Sequence, residues 1–208
     1  LFINPAIART STITDAGNVP GINESVAAGY WTNGATWSLG REPAVGDDVI
    51  VKHAVTIDRT SYSAKTCVIT NGGTLTMAKW STALSISNLV RVASGGTIKL
   101  SGPFNDFNMM SNRINVACGD LTVDSGGLVD ANQGGYAKEN GPGKGTAAAH
   151  GGRGGTIQSG VVYGSTNAPE TPGSGGLTVY GGNGGGVVRL AATGVVTVNG
   201  NIRADADG

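Results

Sequence analysis

Apolar and polar residues alternate with a period of two along much of the chain. The alternation begins sharply at Gly46-Asp-Asp-Val-Ile-Val-Lys-His-Ala-Val-Thr-Ile-Asp58, where Val49, Val51, Val55 and Ile57 share one side. That pattern marks strands buried on one face. A phrase of two such strands around a glycine turn then recurs. It reads Cys67-Val-Ile-Thr-Asn-Gly-Gly-Thr-Leu-Thr-Met77, then Val90-Arg-Val-Ala-Ser-Gly-Gly-Thr-Ile-Lys-Leu100, then Leu121-Thr-Val-Asp-Ser-Gly-Gly-Leu-Val-Asp-Ala131. A weaker fourth copy is Arg189-Leu-Ala-Ala-Thr-Gly-Val-Val-Thr-Val198. The pairs Gly72-Gly73 and Gly95-Gly96 lie 23 residues apart. A period in the twenties predicts an all-β solenoid, in which each repeat buries its apolar face against its neighbours.

Residues 1–40 lack the repeat and are expected to cap one end. Pro20-Gly-Ile-Asn-Glu-Ser-Val-Ala-Ala28 suits a short helix, and Tyr30, Trp31 and Trp37 suit a plug. Residues 41–208 form the expected parallel solenoid. Within it, residues 132–186 dissolve into glycine-rich segments such as Gly151-Gly-Arg-Gly-Gly155 and Gly181-Gly-Asn-Gly-Gly-Gly186. Glycine permits close backbone packing, and Tyr136, Tyr163 and Tyr180 punctuate the stretch, so ordered, stacked loops are expected. Val198-Asn-Gly-Asn-Ile-Arg-Ala204 looks like a strand turning into another rung, so the natural chain is expected to continue beyond Gly208.

Composition narrows the partners. Net charge is zero and only 13% of residues are charged, which argues against nucleic acid, because phosphate binding needs a basic surface. No run approaches the roughly 18 apolar residues of a membrane span, so no membrane insertion is expected. Low charge with abundant Thr, Ser, Asn and Gly suits an extracellular or cell-surface β-protein. Cys67 and Cys118 are too few for a disulfide scaffold. They are expected as buried thiols, with an inter-rung disulfide as the alternative.

Trp37-Ser-Leu-Gly-Arg-Glu-Pro43, then Gly46-Asp-Asp-Val-Ile-Val51 and a Gly-Gly rung, resembles the G8-like start of right-handed parallel β-helices. Gly173-Ser-Gly-Gly176, Gly184-Gly-Gly-Val-Val-Arg-Leu190 and Val198-Asn-Gly200 resemble glycine-rich β-helix regions of large secreted and surface proteins. The resemblance spans roughly residues 37–204 and implies a right-handed parallel β-helix with an N-terminal cap and Gly-rich loop insertions. It says little about chemistry. Related solenoids serve as adhesins, surface-layer parts, phage fibres and polysaccharide-degrading enzymes.

Candidate chemistry is sparse. The adjacent carboxylates Asp47 and Asp48 point to opposite faces of a strand and are expected to stabilise a turn. Asp124 and Asp130 can share the exterior, where calcium is the alternative to a solvated face. No other cofactor is expected. If the protein is an enzyme, Lys138, Glu139, His150 and Arg153 are the candidate proton-transfer groups, provided that the loops bring them within hydrogen-bond reach. Trp80, Tyr136, Tyr163 and Tyr180 are candidates for contact with glycans or partner proteins, since aromatic rings offer flat amphipathic surfaces; the alternative role is to pin the Gly loops onto the scaffold. Asn23-Glu-Ser25 is a glycosylation sequon.

The expected function is a non-enzymatic, structural or adhesive module that presents Gly-rich loops and contacts polysaccharide, sister subunits or other proteins. The alternatives are a polysaccharide lyase or glycoside hydrolase acting in the outer groove, and a virion fibre or tailspike component.

Overall fold

The computed structural model describes residues 19–105, 113–145, 147–150, 160–165, 167–177 and 181–207. Among these residues the chain is all-β, with one short 3-10 turn at Gly34–Thr36 and no α-helix. One parallel sheet holds β1 (Ile22–Glu24), β3 (Asp48–Val51), β5 (Ser61–Ala64), β6 (Thr66–Ile69), β8 (Ala83–Val92), β10 (Ile114–Val123), β12 (Val188–Ala192) and β13 (Val196–Val198). The other holds β2 (Gly29–Tyr30), β4 (Ala54–Ile57), β7 (Thr74–Met77), β9 (Thr97–Leu100), β11 (Leu128–Asp130) and β14 (Asn201–Arg203). The chain visits the first sheet, turns into the second and returns one strand further on. This parallel, all-β arrangement is consistent with the solenoid class.

The alternation becomes columns. Val49, Cys67, Val90 and Leu121 are matched across β3, β6, β8 and β10, and each is buried. Val55, Leu75, Ile98 and Val129 do the same across β4, β7, β9 and β11. Parallel sheets stack like residues at strand spacing, so each side chain lies on its counterpart in the next pass. Fully burying one such side chain contributes about 1.5–3 kcal/mol. At the C-terminal end the columns reach Val196, Val198 and Ile202, which are 56%, 45% and 42% exposed.

The Gly-Gly turns carry the chain between the sheets. Gly72, Gly95 and Gly126 have φ of 80°, 75° and 82°, the left-handed region that glycine enters without penalty. They stack, with Gly72 N donating to Gly95 O and Gly95 N to Gly126 O. The second glycine has a different reason. A Cβ on Gly73 or Gly96 would overlap the carbonyl of Val51 or Ile69 on the preceding pass. The fourth sequence copy departs from this scheme. Thr193-Gly194 joins β12 to β13 within one sheet, beside the irregularity at Gly119 in β10. The turn into the second sheet falls instead at Asn199-Gly200.

The N-terminal segment corrects two expectations. The helix expected near Pro20–Ala28 is strand β1, paired in parallel with β3. Its buried residue Asn23 and the buried Ser25 that follows it are polar, which hid the alternation. Asn23 is fully buried. Its Nδ2 donates to Arg41 O and its Oδ1 accepts from Leu39 N. The sequon asparagine is therefore a scaffold residue, closed to a glycosylating enzyme in the folded chain. Ser25 sits above Val51 and accepts from Lys52 N and His53 N. Trp31 and Trp37 are buried and meet edge to face at 5.1 Å, while Tyr30 is exposed. The apolar column that runs through Val49 thus ends in the hydrogen-bonded side chain of Asn23.

Both cysteines are free and buried. Burial pushes the Cys67 thiol up to about 12, and burial with the Asp120 charge raises Cys118. Because the thiolate is the nucleophile, iodoacetamide at pH 8 is expected to leave Cys67 of the native protein unmodified. Unfolding in guanidinium should open Cys67 to alkylation, as read by mass spectrometry.

Candidate functional site

The glycine-rich stretch leaves β11 at Asp130 and returns at β12, and its described parts are ordered by backbone contact. Gly135 N donates to Gly184 O, Tyr136 N to Gly173 O, Gly173 N to Gly185 O and Gly186 N to Ala131 O. A Cβ on Gly135 would meet carbonyl oxygens of Gly173, Gly184 and Gly185 together. Three glycine segments therefore pack backbone to backbone, an approach that side chains forbid. The expected stacked layer is present in these residues.

Polar side chains knit the layer. Ser174, 6% exposed, accepts from Gly143 N and donates to Tyr163 Oη at 2.9 Å. Tyr163 in turn donates to Pro172 O at 2.5 Å. Its ring meets His150 edge-on at 4.8 Å, and His150 Nε2 lies 2.8 Å from Thr171 Oγ1. Burial raises the Tyr163 hydroxyl above its ordinary value, against the bond from Ser174. Tyr163 and His150 thus serve to pin loops together.

The other candidates are dispersed. Lys138 is held through its backbone N–H on Asn183 Oδ1, and exposed Glu139 through its N–H on Gly176 O. No hydrogen bond or ion pair joins Lys138, Glu139 and His150 among the described residues. Arg153 and Tyr180 lie outside the described residues. Tyr136 is 3% exposed and packs on Phe104 with ring centroids 4.6 Å apart, so it is a buried anchor and offers no platform to a ligand. Asp124 is engaged by Arg91 at 2.8 Å, and Asp130 caps Asn132 N. Each carboxylate is thus engaged separately, Asp124 by an arginine and Asp130 by its own turn. Among the described residues no group of three or more acidic, histidine or cysteine side chains is placed to hold a metal.

Trp80 is half-buried, and the Arg113 guanidinium lies over its ring, 4.3 Å from the centroid. Arg113 borders a cavity of about 200 Å³ that Arg189 and Glu170 also line. Neither arginine stood out in the sequence, because the two are 76 positions apart and meet only through the pairing of β10 with β12.

A wider cleft of about 640 Å³ runs beside the N-terminal cap, lined by Arg41, Glu42, Arg59 and Tyr62 among others. Its charges are paired. Arg59 bonds Glu42 at 3.0 Å and covers the Tyr62 ring, and Arg41 bonds the buried Asp47. The Asp47 carboxylate also accepts from Gly21 N and Ala44 N, which makes it the turn-stabilising group expected from its place before β3.

No family model, curated protein or solved structure matches the chain.

Proposed function

We propose that the chain is a right-handed parallel β-helix acting as a structural or adhesive module outside the cell or at its surface, presenting the glycine-rich layer to glycans or sister subunits. The observation that carries this reading is the preserved register across the glycine-rich excursion. Val129 of β11 pairs with Ile98 on one side and with Ile202 on the other, although Ile202 follows the whole excursion. The pairing of the second sheet continues across the excursion, and the layer is an addition beside it. Such an arrangement suits a stiff support with a displayed surface. Of the candidate proton-transfer groups, His150 is engaged in the packing of the layer, against Tyr163 and Thr171.

The test is incubation with insoluble and soluble polysaccharides, acidic and neutral, following retention and new reducing ends together. Retention without cleavage is the expected result. New reducing ends lost in Lys138→Gln would overturn the reading in favour of an enzyme. Neither retention nor cleavage would leave only the structural role, with protein as partner.

A further inference from the structure

The hollow between β10, β12 and the loop Asn167–Glu170 combines features that the packing of the fold does not require. Arg113 immediately precedes β10, and its buried Nε has no hydrogen-bond partner among the described residues. A buried unpaired donor is costly, and more so when charged, and no contact within the described fold accounts for an arginine at the edge of this hollow. Its guanidinium is held over Trp80 at 4.3 Å. A guanidinium stacked on an aromatic face keeps its in-plane N–H groups directed edgewise, and the stack fixes its orientation beforehand.

Arg189 completes the grip. Ile114 pairs with Val188 and Asn115 with Arg189, which puts Arg189 one pass on from Arg113 and on the same outward face. Among the described residues its guanidinium bonds the neutral Asn115 Oδ1, at 3.1 Å. Glu170 lines the same hollow, yet no ion pair joins it to either arginine among the described residues. Val187, Val188 and Pro169 supply the apolar wall.

We infer that this hollow is a binding site for a sugar acid, with Arg113 and Arg189 gripping the carboxylate and Glu170 accepting hydrogen bonds from ring hydroxyls. Arginine forks match carboxylates with paired, charge-assisted bonds. A carboxylate acceptor beside them disfavours a multiply charged bare anion and suits a ligand that carries hydroxyl donors as well. At about 200 Å³ the hollow is smaller than the roughly 300–1,000 Å³ of drug-sized sites. It fits one sugar unit of a chain whose remainder lies outside. The inference rests on the glycan-contacting reading above and names its ligand class.

The experiment is calorimetric titration of the whole chain with galacturonate trisaccharide and, in parallel, with the neutral galactose trisaccharide. Saturable binding of the acidic sugar is expected, with the neutral one at least tenfold weaker. Arg113→Gln and Arg189→Gln should each weaken binding tenfold or more, and Lys138→Gln should leave it unchanged. Arg189 is exposed, so its variant carries the test if Arg113→Gln does not fold. Glu170→Gln should weaken binding several-fold. Tighter binding in that variant would overturn the sugar-acid assignment in favour of a plain anion. Acidic-sugar binding that survives both arginine substitutions would overturn the site while leaving the glycan reading intact. Retention of the chain on neutral polysaccharides alone would do the same.

Discussion

Alanine at Gly73 is expected to lower the stability of the folded chain by about 3 kcal/mol, at the upper end of what forced overpacking costs. The cause is the preceding pass of the chain rather than the backbone angle of the residue itself. A Cβ at Gly73 would overlap the Val51 carbonyl, an oxygen that also accepts the Thr70 N–H and Thr70 Oγ1. Relieving the overlap means moving backbone in two paired strands at once, β3 and β6. Two neighbouring substitutions grade the effect. Gly72 has φ of 80° and a Cβ there would meet nothing nearer than Lys52 O at 4.0 Å, so Gly72→Ala bears only the left-handed penalty of about 1–2 kcal/mol. Gly102 meets nothing within 4 Å, so Gly102→Ala should fall within about 0.5 kcal/mol of the parent. Denaturant midpoints for the three variants give the order directly. Equal losses at Gly72 and Gly73 would mean that the passes do not approach as closely as this packing requires.

The same residues explain what could be read in advance. Each Gly-Gly pair does two backbone jobs that no other residue performs, so the repeat was visible wherever both jobs occur together. Where Gly194 stands alone, the phrase looked like a repeat but fell in a different part of the pass. β1 escaped notice because its buried residue Asn23 and the buried Ser25 that follows it are polar, and alternation is recognised by apolar side chains. Surroundings rich in glycine left two roles open to Tyr136, a pin for the loops or a contact surface. In fact glycine lets backbone close around the ring, so an aromatic there is more thoroughly covered. The Arg113–Arg189 hollow had no local signature at all, since its parts come from separate passes and a loop, and only strand register brings them together. Lys138, Glu139 and His150 were grouped because they are close in sequence. In a layer built of folded-back extended segments that closeness carries little information.

Asparagine at Asp47 is expected to cost about 3 kcal/mol, because removing one partner of a buried pair leaves the rest unsatisfied. The carboxylate is fully buried and binds Arg41 through both oxygens, while Gly21 N and Ala44 N donate to it as well. It therefore ties the start of β1 and the cap loop to the start of β3, and an amide offers a single acceptor oxygen in its place. Arg41 retains the carbonyls of Val19 and Glu42 and is 24% exposed, which keeps the loss from being larger. For a chain of this size the fall in Tm is about 6–12 °C. The exposed Arg59–Glu42 pair in the same cleft is the control, and Glu42→Gln should shift stability by less than about 1 kcal/mol. Acid gives the second readout. Burial alone pushes the Asp47 carboxyl up. The bond from Arg41, the two backbone N–H groups and the Arg41 charge outweigh burial and hold the carboxyl below its ordinary value. A carboxylate with a depressed folded pKa contributes stability above its unfolded value of about 3.9 and loses it as pH falls through the folded one. The gap in Tm between the parent and Asp47→Asn should therefore be constant from pH 7 to about 5 and shrink below about 4. A gap that stayed constant down to pH 2 would show that the pair holds the cap by shape and not by charge.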